Sequence, residues 1–187
     1  MKCSVFVVTS ADGYISTADD RIDWLENAGN TEADMSEHAD MGFSDFIRSV
    51  DCMVISRKCM ERISGFNLAP EQWPYGDTRI IVLSNTVKNI PDNLEGRVEI
   101  YSGDIAALIM QLENMGFTHA YIDGGVTITS FLNLQLINEI IILQAPVLLG
   151  EGKPLFGTRA KQIKLENAQA FHYPNDFVQF KYQVNYQ

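Results

Sequence analysis

The strongest constraint on this chain is a series of short, unbroken apolar runs rich in β-branched residues. Cys3 to Thr9 places Val5, Phe6, Val7 and Val8 in succession. Cys52 to Ser56, Arg79 to Ser84, Val98 to Tyr101, Ala120 to Ile122 and Glu139 to Gln144 repeat the pattern. Continuous runs of about four to eight such residues fit strands covered on both faces, the condition of a parallel sheet with helices on either side.

The segments between the runs supply helices. Over Asp104 to Met115, Ile105, Leu108, Ile109 and Leu112 recur at the spacing that puts them on one helical face. Ser102 or Asp104 can cap its start and Gly116 can end it. Ser36 to Ser49 reads as a second helix, with Met41, Phe43, Phe46 and Ile47 on its apolar side and Ser36 as its cap. Arg57 to Ile63 and Val126 to Leu134 read as shorter ones. Ser16 to Asp34 is polar and loop-like, anchored by Ile22, Trp24 and Leu25, and Gly65 to Asp77 is a loop containing Pro70, Pro74 and Gly76.

The end of the chain changes period. Val178, Phe180, Tyr182, Val184 and Tyr186 alternate with polar residues, the pattern of a half-exposed antiparallel strand. Pro174-Asn175-Asp176 supplies a turn, across which Gln162 to Tyr173 can pair with that strand. The expected architecture is α/β: a mixed, mostly parallel sheet flanked by helices, with an antiparallel C-terminal hairpin, in one domain over residues 1–187.

A net charge of −10 argues against nucleic acid and anionic membrane surfaces as partners, because affinity for both rests on Lys and Arg. Ten acids between Asp19 and Asp51 read as a solvated face. Three cysteines without a C-x-x-C pair argue against disulfides and zinc, and no metal is expected. Cys3 and Cys52 read as small core residues. The N-terminus has no signal-peptide pattern, and Ile140 to Leu143 is too short to cross a bilayer, so a cytoplasmic location is expected. The three histidines show no metal-ligand spacing, and no G-x-S-x-G elbow is present.

Chemistry concentrates where strands give way to turns. In His119 to Thr127, a strand ends, Gly124-Gly125 follows and a helix begins. The first turn of a helix leaves N–H groups free, and glycines let a phosphate approach them; the same sequence also suits an ordinary tight turn. Neither the G-x-G-x-x-G fingerprint nor a Walker loop is present. Arg57-Lys58 follows a strand directly, where Arg57 can grip a phosphate or simply be solvated, and Ser84-Asn85 occupies the same kind of position. Asp12-Gly13 ends the first strand as a turn, and Asp12 can orient a polar ligand there.

Taken in order, Ser10-Ala11-Asp12-Gly13-Tyr14-Ile15, Asp23-Trp24-Leu25, Val54 to Lys58, Ile81 to Ser84, Ile122 to Gly125 and Pro146 to Phe156 resemble the dihydrofolate reductase-like superfamily. The nearest likeness is to the reductase domain of the riboflavin-synthesis deaminase–reductase and its stand-alone relatives. The resemblance implies an NADPH-dependent reductase. By it, Ser56, Arg57, Lys58, Leu83 and Ser84 hold the adenosine end of the cofactor, and Gly124, Gly125, Val126 and Thr127 its phosphates. It implies a general acid on the helix before Val54, at Asp40 with Asp45 as rival, and a substrate side lined by Asp12, Trp24 and Asp40. Hydride would pass to a pterin-, pyrimidine- or ribosylamino-type substrate in a homodimer. Two positions depart from the family pattern: Ser56 stands where Gly is usual and Cys59 where Thr is usual. They bear on cofactor choice. They also keep open a second reading, in which the fold serves as a non-catalytic flavin- or folate-like ligand-binding or regulatory protein. No deaminase motif is present.

Overall fold

The computed structural model describes residues 1–157 and 162–187. The chain runs β1 (Lys2–Thr9), β2 (Tyr14–Ser16), α1 (Phe43–Arg48), β3 (Cys52–Ser56), α2 (Arg57–Gly65), β4 (Arg79–Leu83), β5 (Val98–Tyr101), α3 (Ile105–Asn114), β6 (His119–Asp123), α4 (Gly125–Asn133) and β7 (Glu139–Gln144). It finishes with β8 (Lys153–Pro154), β9 (Lys164–His172) and β10 (Val178–Asn185).

Eight strands form one sheet in the order β5-β4-β3-β6-β1-β7-β10-β9. Each neighbouring pair from β5 to β7 is parallel. β10 runs antiparallel to both β7 and β9. The expected mixed sheet and C-terminal hairpin are therefore present. Asn167, at φ +53, falls in β9 where its register against β10 shifts between Lys181 and Gln183, as a bulge does.

The apolar runs are buried on both faces because alternate residues point to opposite sides. On one side Cys3, Val5, Cys52, Val54 and Ile122 pack with Leu108 and Leu112 of α3 and Ile128 and Phe131 of α4. On the other, Phe6, Met53, Ile55 and Tyr121 pack with Phe46 and Ile47 of α1 and Met60 and Ile63 of α2. Fully buried side chains such as Phe131 and Ile128 contribute about 1.5–3 kcal/mol each. Cys3 and Cys52 sit in this core, where burial raises their thiols to about 11 and about 12.

The helix expected over 36–49 is cut to Phe43–Arg48. Met41 at φ +51 and Gly42 at φ +85 adopt left-handed backbone, which an α-helix cannot contain. Asp40 therefore precedes the helix instead of riding on it. α3 follows its periodicity, and Asp104 is the cap: its carboxylate accepts the Ala107 N–H at 2.9 Å. β2 and β8 pair antiparallel as a small second sheet that the sequence pattern missed, being only three and two residues long.

Candidate functional site

Because six strands are parallel, β1, β3, β4 and β6 all release the chain at the same edge of the sheet. Ligand clefts form beyond such carboxyl ends. Register places Ser56 beside Leu83 and Ile55 beside Asp123. A cleft of about 850 Å³ opens there.

Two helix starts meet at its wall. α2 begins directly after Ser56 and α4 directly after Gly124. The Ser56 hydroxyl caps α2, accepting the Cys59 N–H at 3.2 Å, and donates to Cys59 Sγ at 3.3 Å. A Cβ on Gly124 would fall 2.7 Å from Cys59 Sγ and 3.2 Å from Ser56 Oγ. Gly124 is thus required twice, for its φ of +92° and for the close approach of the two turns. The absent side chain lets both helix N-termini lie side by side, each with first-turn N–H groups that lack intrahelical acceptors. Val126 is 78% exposed at the mouth. This donor set fits a dinucleotide pyrophosphate: paired backbone N–H groups, with Lys58 in the same lining.

Other expected residues fall differently. Asp40, Ser56, Lys58, Gly124, Gly125 and Val126 line the cleft. Thr127 is only 3% exposed, so its hydroxyl is lost to the interior while its backbone stays in the first turn of α4. Arg57 pairs with Glu61 at 2.7 Å. Leu83 ends β4, and Ser84 Oγ accepts the Val87 N–H at 3.0 Å in a local turn. Asp12 closes a clasp: it takes the Ser10 hydroxyl at 2.6 Å and the Leu149 and Gly150 N–H groups at 3.2 and 2.8 Å. Trp24 packs with Leu143 and Tyr173 in a third apolar cluster, its indole N–H buried without an acceptor among the described residues, while its neighbours Ile22 and Leu25 line the cleft.

Asp40 accepts the Ser44 N–H at 2.8 Å and the Gly42 N–H at 3.1 Å, as a cap. Its bonds to Ser44 hold its carboxyl below the ordinary range, the wrong direction for a proton donor near neutrality. Asp45 is exposed and paired with Arg48. The carboxyl with the opposite shift is Asp123, which ends β6 on the cleft lining. Burial pushes its pKa up, outweighing the Gly124 N–H and the Arg62 charge that act to lower it. Tyr75 and Cys59 line the cleft with it, and both are raised by burial, Cys59 to about 11. Sequence reasoning missed Asp123: the expected strand ends at Ile122, whereas β6 continues to Asp123, directly before Gly124.

A further group was also missed. Lys58 and Arg62 from α2 and Lys153 from β8 line the mouth. Asp20 sits among them, its Oδ2 receiving Lys58 Nζ at 2.8 Å and Lys153 Nζ at 2.5 Å, and its carbonyl receiving Arg62 Nη2 at 2.8 Å.

Similarity to known proteins bears on the family and the fold. The profile of the RibD C-terminal domain matches residues 2–179. The uncharacterized protein YwjB of Bacillus subtilis (strain 168) is 27% identical over 165 residues, 88% of this chain and 87% of its own. A protein from Shewanella sp. PV-4 with a provisional riboflavin-biosynthesis designation superposes with a TM-score of 0.87 at 34% identity, covering 99% of both chains. A dihydrofolate reductase from Enterococcus faecalis, solved with NADP(H), shares the fold with a TM-score of 0.63 at 11% identity, over 98% of this chain and 96% of its own. Among the described residues no helix is long and apolar enough to cross a membrane. With its sheet order, its strand–Gly124-Gly125–helix turn and a profile match across nearly its whole length, the chain belongs to the RibD C-terminal domain family.

Proposed function

We propose that the chain is a nicotinamide-dependent reductase, with NADPH as cofactor, acting on a C=N or C=O bond of a pterin-, pyrimidine- or ribosylamino-type substrate. The observation that carries this reading is the meeting of two helix N-termini, at Ser56 and Gly124, on the cleft that also holds Asp123, whose pKa burial raises. Family membership supports the reaction class, and the Enterococcus faecalis enzyme's complex with NADP(H) supports the cofactor.

The first-turn N–H groups of Gly125, Val126 and Thr127 would hold the pyrophosphate, with Lys58 as counter-charge. Ser56 on the cleft lining, with Arg57 in the first turn of α2 and Leu83 and Ser84 at the end of β4, would receive the adenosine end. When bound, the reduced nicotinamide supplies a hydride. Asp123 then replaces Asp40 as proton donor, since burial keeps a proton on it at higher pH. Phe6, Leu25, Phe43 and Tyr75 supply apolar walls that exclude water from the transfer. Asp40 keeps its charge and shapes the loop beside the substrate. Asp12 and Trp24 act behind the cleft, fixing the turns whose neighbours line it. A homodimer completes the proposal, and light scattering that returns the mass of one chain would remove that part.

A second reading has an observation in its favour: the Ser56 and Cys59 side chains occupy the space against Gly124. It makes the protein a non-catalytic binder of a flavin- or folate-like ligand. Titration with NADPH, followed by cofactor fluorescence, and oxidation assays across pterin, pyrimidine and flavin substrates separate the two. Binding with turnover is expected. Binding without turnover supports the second reading, and no binding at millimolar NADPH sinks the first.

A further inference from the structure

We propose that Asp20 is a built-in occupant of an anion subsite formed by Lys58, Arg62 and Lys153, and that a phosphate carried by a ligand displaces it. The proposal takes from the reductase reading only that this cleft receives a ligand; it makes no use of hydride transfer.

The chain has a net charge of −10 and only 14 Lys and Arg. Three of them nevertheless converge at one mouth from two elements, α2 and β8. Lys58 and Lys153 direct their ammonium groups at the same oxygen, Oδ2 of Asp20. Arg62 reaches only its backbone carbonyl. One carboxylate charge thus faces three cations. A phosphate monoester brings nearly two charges and three acceptor oxygens, so it satisfies the cluster better than Asp20 does.

The segment that carries Asp20 is built to leave. Residues 17–21 close on themselves: the Thr17 N–H donates to the Arg21 carbonyl, the Asp20 N–H to the Thr17 carbonyl and the Arg21 N–H to Thr17 Oγ1. Asp20 sits at its apex in left-handed backbone, φ +67. Among the described residues, the hydrogen bonds and ion pairs that tie this turn to α2 and β8 all pass through Asp20. Those pairs are wet: the side chains of Lys58, Asp20 and Lys153 are 57%, 37% and 41% exposed. Ion pairs at this exposure are weak and exchange readily. A structural clamp would instead be buried or tied at several points.

The phosphate can belong to a cofactor or to a substrate ester, and the probes distinguish them. Ribose 5-phosphate, pyrophosphate, NADPH and NADH are titrated calorimetrically into wild type, Asp20→Asn and the double variant Asp20→Asn/Lys153→Gln, with urea unfolding as a check on folding. Asp20→Asn is expected to tighten phosphate binding about five- to tenfold, and Lys153→Gln to remove the gain. A gain confined to ribose 5-phosphate assigns the subsite to a substrate phosphate; a gain for NADPH without one for NADH assigns it to the cofactor's 2′-phosphate. Trp24, four residues beyond Asp20, gives a second readout in a Trp73→Phe background. The emission of ligand-free Asp20→Asn should match that of phosphate-saturated wild type. Unchanged or weaker binding of all four probes by a normally folded Asp20→Asn overturns the proposal and leaves Asp20 a clamp. If the phosphate gain holds while NADPH is never oxidised, the reductase reading fails alone.

Discussion

Replacing Gly124 by alanine tests whether the two helix starts are held together as described. Gly124 has φ +92 and ψ 130, a region that only glycine occupies freely. Forcing an L-residue there costs about 1–3 kcal/mol. The new methyl also meets Cys59 Sγ at 2.7 Å and Ser56 Oγ at 3.2 Å. Overpacking of this kind costs about 1–3 kcal/mol more, because both side chains are fixed in the cap of α2. Gly124→Ala should therefore lose about 2–6 kcal/mol in urea unfolding, a large share of the roughly 5–15 kcal/mol typical of a domain. Cys59→Ala separates the two contributions. It removes the sulfur but leaves the backbone strain, so the double variant should be about 1 kcal/mol more stable than the sum of the single changes predicts. NADPH affinity should fall even below the midpoint of denaturation, since a small retreat of α4 withdraws its N–H groups. A Gly124→Ala protein within about 0.5 kcal/mol of wild type, with no coupling to Cys59, would refute both the strain and the contact.

Asp123→Asn should lower turnover on the order of 100-fold or more, the usual weight of a general acid, while raising stability at alkaline pH. The sign follows from its upward shift: stability linked to this carboxyl is complete below the ordinary carboxylate range and is lost as pH climbs through its raised folded value. Urea unfolding of both proteins across pH checks it, and a variant less stable than wild type at pH 9 contradicts it. Asp51 has the opposite sign. It accepts the Thr118 N–H and hydroxyl and the His119 N–H at 2.6–2.9 Å, which lowers its pKa and ties β3 to β6. Asp51→Ala should cost about 1 kcal/mol at pH 7, discounted for exposure, and the gap to wild type should close as pH falls through the lowered pKa of the folded carboxyl. Burial raises the three thiols to about 11 or 12. Iodoacetamide at pH 7.5 should leave native protein unlabelled over a time that labels urea-unfolded protein fully, as mass spectrometry would show.

The sheet was legible because its central strands are covered on both faces, and that burial forces unbroken apolar runs such as Val5 to Val8. α3 was legible because one face alone is buried and Asp104 announces its start. The helix containing Asp40 was misread because two left-handed residues, Met41 and Gly42, interrupt a run whose apolar spacing looks helical. β2 and β8 carry too few residues to show a period. The site divides in the same way. Gly124 and Ser56 could be read locally, since each marks a strand-to-helix turn. The Asp20 cluster could not: Asp20 lies 38 residues from Lys58 and 133 from Lys153, so only the folded topology joins them. Asp12 was recognisable as a turn residue, but its bonds to Leu149 and Gly150 depend on a segment 137 and 138 residues away.

The two displaced carboxyls of the cleft bear on one another through Arg62. Its guanidinium donates to the Asp20 carbonyl, and its charge is one of the influences that lower the pKa of Asp123. With the Asp20 carboxylate in place, part of the positive charge of Lys58 and Lys153 is offset. When that carboxylate is removed, the uncompensated charge of the cluster should favour the ionised form of Asp123 and lower its pKa. A phosphate bound in place of Asp20 should restore the balance and the proton. On this reasoning the Asp123 pKa should be higher when the anion subsite is filled, by the chain's own carboxylate or by a ligand. In Asp20→Asn, carbon-13 NMR of the Asp123 carboxyl should titrate at lower pH than in wild type, and saturating ribose 5-phosphate should move it back up. An Asp123 titration indifferent to both changes would show that the cluster and Asp123 are electrostatically independent, and that any phosphate displacing Asp20 has no part in setting the protonation of Asp123.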